Sequence, residues 1–196
     1  FLIFFFLILL FYFTLTIILS RQRWVPILNN EMTSLAGHVL IALPYMGDGN
    51  FNKSVVLIIQ HDEDGATGVV LNRPSSQTVG EIWQQVGGVP ADCNEYINIG
   101  GPVDGVLIAL HTQARLSEIQ VFSGVHVATT RDHLNELVSQ DKKPFRVYGG
   151  YAGWGPQQLE SELEQGAWLT KPAKFEYVFC DSSNDLWQKV SRDFGK

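Results

Sequence analysis

The chain has few of the residues that most often announce a function. It holds only two cysteines, Cys93 and Cys180, far apart and not in a CxxC arrangement. Neither a disulfide framework nor a cysteine zinc site is therefore expected; the two could pair only if the fold happened to bring them together, and two separate buried thiols in a reducing compartment are the favoured reading. Basic residues are scarce too: 14 Lys and Arg stand against 20 Asp and Glu, for a net charge of −6. No run of Lys or Arg occurs, so the clustered cations that neutralise a phosphate backbone are missing and direct DNA binding is not expected. Catalytic signatures are equally absent. There is no HExxH, no GxSxG elbow, no GxGxxG and no GxxxxGK[ST], which removes the usual zinc, acyl-transfer and nucleotide frames. The acidic turn Asp62-Glu63-Asp64 lacks the length and terminal Glu of a calcium loop. Neither a metal nor a cofactor is expected.

What the chain has in excess comes first in order. Residues 1–19, "FLIFFFLILLFYFTLTIIL", form an uncharged apolar run of membrane-spanning length, followed by Arg21, Arg23 and Trp24. Two readings stand. The run is a membrane anchor with a positive cytoplasmic flank, or an over-extended start, since the chain opens without methionine and Met32 precedes an ordinary globular beginning. A secretory signal fits less well, because neither a basic leader nor a small-x-small cleavage site is present. Residues 1–31 are therefore set apart from one domain over residues 32–196, long enough for a substantial core. The domain is expected to be cytoplasmic, and held at a membrane only if the apolar run is genuine.

From Leu35 onward, short β-branched runs alternate irregularly with a few helical patterns. "HVLIALP", "SVVLIIQH" and "ATGVVLN" read as strands, the last two as a hairpin over residues 54–72. Residues 76–86 read as a helix, with Thr78 and Glu81 as a capping box and Val79, Ile82, Trp83 and Val86 inward. "EYINIGGPV" and "GVLIALHT" read as two strands around a Gly-Gly-Pro turn, and "IQVFSGVHVAT" as a further strand region. Residues 130–140 read as a helix capped by Thr130, with Leu134, Leu137 and Val138 inward. "PFRVYGGYAG" is a strand. Beyond it, Gly149, Gly150, Gly153 and Gly155 permit positive φ or close backbone approach, as a tight strand-to-helix turn needs, leading into a helix from Pro156, at its first position, to Gln165. Tyr151 and Trp154 are expected to pack that turn. A strand around Trp168, a strand at "FEYVFC" and a helix from about Ser183 complete the chain. Without regular βαβ alternation the class is α+β, its sheet mostly antiparallel and folded into a pseudo-barrel flanked by helices.

Several blocks, in order, carry a resemblance: "GHVLIALPYMGDGNFNKSV" (37–55), "HDEDGATGVVLNRP" (61–74), "GGPV" (100–103), "LH" (110–111) and "GYAGWGPQQLE" (150–160), with Trp168 beyond. From about Leu35 to Gly195 the chain resembles the YqgE/AlgH family of bacterial proteins. Two positions depart from its pattern: Gly49, where the family usually has proline, and Gln157, where it often has glycine. The resemblance implies a compact pseudo-barrel domain. It implies no agreed reaction, cofactor or catalytic residue, although some members are labelled regulators of alginate synthesis. The polar or aromatic motif residues are the candidate binding positions: Asp48, His61, Asn72, Arg73, His111, Tyr151, Trp154 and Gln158. The expected function is a non-enzymatic binding or regulatory module with an unidentified protein or small-molecule partner, possible in the form of indirect transcriptional control. The alternative is an enzyme using His61 or His111 as acid/base and Arg73 as an anion holder.

Overall fold

Continuously apolar strands, rather than alternating ones, need cover on both faces. The computed structural model, which describes residues 33–44, 49–86, 93–140, 144–180 and 185–194, shows how that cover is arranged. The strands are β1 (His38–Ala42), β2 (Val55–Asp62), β3 (Gly65–Val70), β4 (Pro74–Thr78), β5 (Tyr96–Ile99), β6 (Val103–His111), β7 (Ile119–Phe122), β8 (Val125–Ala128), β9 (Phe145–Trp154) and β10 (Trp168–Pro172). The helices are α1 (Val79–Gln85), α2 (Arg131–Val138), α3 (Gln158–Glu164), α4 (Phe175–Val178) and α5 (Leu186–Arg192), with a 3-10 turn at Ala114–Leu116. The strands join in the order β10-β1-β2-β3-β9-β6-β8-β7, with β5 also on β9 and β4 on β5. All pairings are antiparallel except β5 with β9.

The ladder is open, because its end strands β10 and β7 do not pair with each other. The sheet nevertheless curls around one core. Val39 and Ile41 of β1 and Val55, Leu57 and Ile59 of β2 share a cluster with Ile108 and Leu110 of β6, Val125 and Val127 of β8, and Tyr148 of β9. Tyr177, Val178, Leu186 and Val190 bring α4 and α5 into the same cluster. The intervening residues of each strand point outward into two further clusters. Leu40, Val56 and Ile58 lie with Leu159 of α3, while Ala109, Ala128 and Val147 lie under Trp83 of α1 and Leu134 and Leu137 of α2. The central strands β1, β2 and β8 thus bury both faces. This is α+β, as expected, with curvature and packing rather than a closed ladder making the barrel.

Three local expectations need correction. The "FEYVFC" strand is instead the single-turn helix α4. Tyr177 and Val178 are both buried, at 0% and 1% exposure, and adjacent residues of a strand would point to opposite faces. The two strands around Gly-Gly-Pro are present as β5 and β6, and β9 runs between them, matching Ile99 with Gly149 on one edge and Leu107 with Gly149 on the other. Residues 74–78 form the short polar strand β4, so α1 begins at Val79, and Val86 is 52% exposed rather than inward. Pro74 opens that strand, a position where its missing N–H is tolerated. The capping box itself is present, with Glu81 N to Thr78 Oγ1 at 3.2 Å and Thr78 N to Glu81 Oε2 at 2.7 Å. Finally, Thr130 stands at the α2 cap but does not cap it with its own side chain; Glu118 does so from outside the helix. The predicted start of the last helix, Ser183, lies outside the described residues, as does the apolar run of residues 1–19. No helix among the described residues is long and apolar enough to cross a membrane. Cys93 is buried and Cys180 half-buried, and both are free.

Candidate functional site

The stretch from Gly149 to Gln165 supplies the richest polar arrangement, but not through the turn its glycines suggest. β9 continues to Trp154, so Gly149, Gly150 and Gly153 belong to a strand. Of the four glycines only Gly150 has positive φ, at 74°. It does so where β9 crosses the Gly100-Gly101 segment, and an added Cβ there would lie 2.6 Å from the Val103 carbonyl oxygen. The turn proper is Gly155–Gln157, and Pro156 precedes the cap instead of opening the helix. Gln157 is the α3 N-cap, in the left-handed region at φ 58°. A side chain at that φ is strained by about 1–2 kcal/mol, and glycine is not. Gln157→Gly is therefore expected to stabilise the domain by about 0.5–1 kcal/mol, after the greater freedom of glycine in the unfolded chain is subtracted. A thermal melt should rise by about 2 °C, while Gly153→Ala, whose Cβ would lie 3.3 Å from the Tyr151 ring edge and need that ring to shift slightly, should melt within about 2 °C of the parent.

Where β9 ends, α3 lies against the turn end of the β2–β3 hairpin. A bulge between Ile58 and Gln60 re-phases β2. His61, opposite Ala66, then faces the cluster beneath α3. Its Nδ1 accepts the Leu35 backbone N–H at 3.0 Å. The ring proton therefore sits on Nε2, which donates to Glu160 Oε1 at 2.6 Å. Both nitrogens are engaged, which holds one neutral tautomer. Two residues further along α3, Glu162 Oε2 accepts the indole N–H of Trp154 at 3.0 Å and of Trp168 at 2.8 Å. Its Oε1 accepts Gln158 Nε2 at 2.9 Å, and Gln158 Oε1 accepts the Gly155 N–H at 3.1 Å. Phe51 sits over the pair, 6.1 Å from the Trp154 ring and 5.3 Å from that of Trp168. The arrangement clamps α3 to the sheet by saturating every donor that Trp154 and Trp168 bring into the interior.

The remaining candidates lie elsewhere. Asn72, at the far end of the β2–β3 ribbon, accepts Val55 N–H at 2.8 Å and donates to the Lys53 carbonyl at 2.9 Å. Arg73 beside it donates to the Gly49 carbonyl at 3.4 Å. Asp48 lies outside the described residues. Tyr151 packs against the central core. His111 is fully buried at the opposite end of β9 from Trp154, its Nδ1 accepting Gln113 N–H at 3.2 Å. Burial, and then the neighbouring His126, hold its pKa down at about 4. Across β9, whose ten residues span about 30 Å if straight, His61 and His111 are too far apart to share a substrate. His61, Trp154 and Gln158 are brought together; Asn72 and Arg73 form a second locus, and His111 a third.

Sequence reasoning did not single out Glu160 and Glu162 of α3, or Phe51 beside them. The i, i+4 spacing of Gln158 and Glu162 was a usable signal. It also missed Glu118. Its carboxylate accepts the backbone N–H and hydroxyl of both Thr129 and Thr130, at 2.6–3.0 Å. Burial pushes Glu118 up, but these hydrogen bonds outweigh it and hold the carboxyl down at about 2.

Comparison with known proteins decides the lineage. The AlgH-like family, DUF179, matches residues 39–196. The chain belongs to that family. A UPF0301 protein of Xanthomonas campestris pv. campestris is 40% identical over 170 residues, covering 83% of this chain and 90% of the relative. One from Myxococcus xanthus is 38% identical over 169 residues, covering 84% and 93%. Among solved structures, the solution structure of the AlgH protein from Pseudomonas aeruginosa superposes with a TM-score of 0.68 at 31% identity, covering 83% of this chain and 89% of that one. The X-ray structure of a Corynebacterium diphtheriae protein gives 0.67 at 28% identity, covering 84% and 91%. In this AlgH-like domain, the glycine-rich and polar motif blocks therefore fall at the β9 crossing and the α3 clamp.

Proposed function

We propose that this AlgH-like domain is a non-enzymatic, cytoplasmic binding or regulatory module. One observation carries the reading: His61, Asn72 and Gln158 each have both polar ends engaged by partners within the domain. Side chains so engaged are committed to holding the fold; they do not offer a free base or nucleophile to a substrate. Any control of transcription is then indirect, through a protein partner, in keeping with the net charge of −6. Catalysis by His61 or His111 with Arg73 would require these separate loci to converge, and no observation favours it. The test is a hydrolase and transferase substrate screen on the full chain, with His61→Gln and His111→Gln beside it. No turnover above the variants' background is expected. Turnover lost in either variant, with the fold intact, would overturn the proposal.

A further inference from the structure

The segment Gln113–Glu118 is a strap between β6 and β7, and its two ends are held by different chemistry. At one end, the Gln113 backbone N–H is accepted by Nδ1 of His111, which is 0% exposed. The ring proton is thereby placed on Nε2, which is buried with no hydrogen-bond partner. At the other end, Glu118 caps the N-terminus of α2 through Thr129 and Thr130 and accepts His133 Nδ1 at 3.1 Å. Between them, Leu116 is 3% exposed in the cluster under α2, and Arg115 pairs with Glu136 of that helix. The strap therefore supplies a polar cap, a buried side chain and an ion pair to α2.

We propose that this strap is a proton-sensitive latch: it holds α2 over the second apolar cluster while His111 is neutral, and releases the helix when His111 takes up a proton. A proton can enter only at Nδ1, where it displaces the Gln113 N–H bond and creates a cation inside the core. His126 of β8, with ring centroids 5.9 Å apart, opposes the charge, and the Val127 backbone carbonyl favours it; His133 of α2 opposes it more weakly, and Glu118 favours it least. Burial is the largest of these effects, and the net direction is downward.

The sign follows from linkage. A ring held neutral down to about pH 4 when packed, but titrating near 6.5 when exposed, favours the open form as pH falls between those values. From pH 7 to pH 5 the open population should rise about twentyfold. Glu118, held near 2, stays ionised across that window, so its own protonation does not account for the release. Release uncovers Leu134 and Leu137 and dismantles a groove of about 220 Å³ bounded by Trp83, Val86, Leu107 and Leu134.

Amide hydrogen exchange on the full chain, corrected for intrinsic rates, tests this. Residues 131–138 are expected to lose about twentyfold in protection from pH 7 to pH 5, while residues 39–42 and 55–59 keep theirs. His111→Gln should flatten that dependence. Glu118→Gln should lower α2 protection at both pH values and leave their ratio intact. Equal loss of protection in all regions, or a wild-type ratio in His111→Gln, overturns the latch. Should His111→Gln not fold, the regional comparison in the wild type decides.

Discussion

Alanine at Gly100 or Gly101 is expected to abolish cooperative folding. A Cβ at Gly100 would lie 2.1 Å from the Gly150 carbonyl oxygen, and one at Gly101 would lie 2.2 Å from the carbonyl carbon and oxygen of Tyr151. These are backbone atoms, so no rotamer change removes the clash. Nor can the segment slide away. The Gly100 N–H donates to the Gly149 carbonyl and the Gly100 carbonyl accepts the Val70 N–H, each at 2.8 Å. Separating the chains would break the junction at which β9 meets β5 and lies against β3. A loss of about 4 kcal/mol or more is expected, enough to unfold an ordinary domain. Gly49→Ala is the control: nothing lies within 4 Å of its Cβ position, and it should change stability by less than about 0.5 kcal/mol. Urea denaturation of the three proteins, or failure of the first two to accumulate as soluble chain, is the measurement. A Gly100→Ala protein with the parent's midpoint would show that the crossing is looser than these distances.

Glu162→Ala should have the next largest effect. Trp154 and Trp168 are 6% and 3% exposed, and both indole N–H groups end on the same carboxylate oxygen. Removing it leaves two buried donors without an acceptor, at about 1–3 kcal/mol each, and frees Gln158 from the helix turn. A destabilisation of about 3–5 kcal/mol is expected in chemical denaturation. Glu162→Gln keeps one acceptor oxygen for the indoles but turns an amide donor toward Gln158 Nε2, and should cost about half as much. Ala below Gln below Glu in stability is the diagnostic order. If Ala matched Gln, the indole bonds would contribute little and aromatic packing with Phe51 alone would hold α3.

These two sites show where reading the chain in one dimension succeeds and where it stops. The apolar runs of β1, β2, β6 and β8 were legible because strands buried on both faces carry no polar alternation. The capping box of α1 and the inward residues of α2 were legible because they are set by spacing within a single element. Family membership was legible as well, through ordered blocks of sequence. The role of the glycines was not. "GGYAGW" has the composition of a turn, yet all of it is strand, and at Gly150 the reason for glycine is another segment about 50 residues earlier pressing on it. Composition records that a side chain is missing and is silent on what fills the space.

The candidate site divides the same way. Local chemistry singled out His61, Trp154 and Gln158 as unusual, and the fold brings them together. Their meaning depends on Glu160 and Glu162, which look like any solvated acidic pair on a short helix. His61 and Glu160 lie 99 positions apart and meet only after β2 bulges and β9 delivers α3 to the hairpin. His111 and Glu118 likewise share a strap whose ends acquire purpose only once α2 has docked. Sequence by itself determined the strand-rich class, the lineage and the places where polar or glycine residues are unusual, because each depends on neighbours along the chain. Tertiary structure alone decided which polar atoms are engaged, which glycines are obligatory and which histidine is buried neutral. Those depend on contacts between segments, and on the cost of leaving a buried polar atom or a crowded Cβ unresolved.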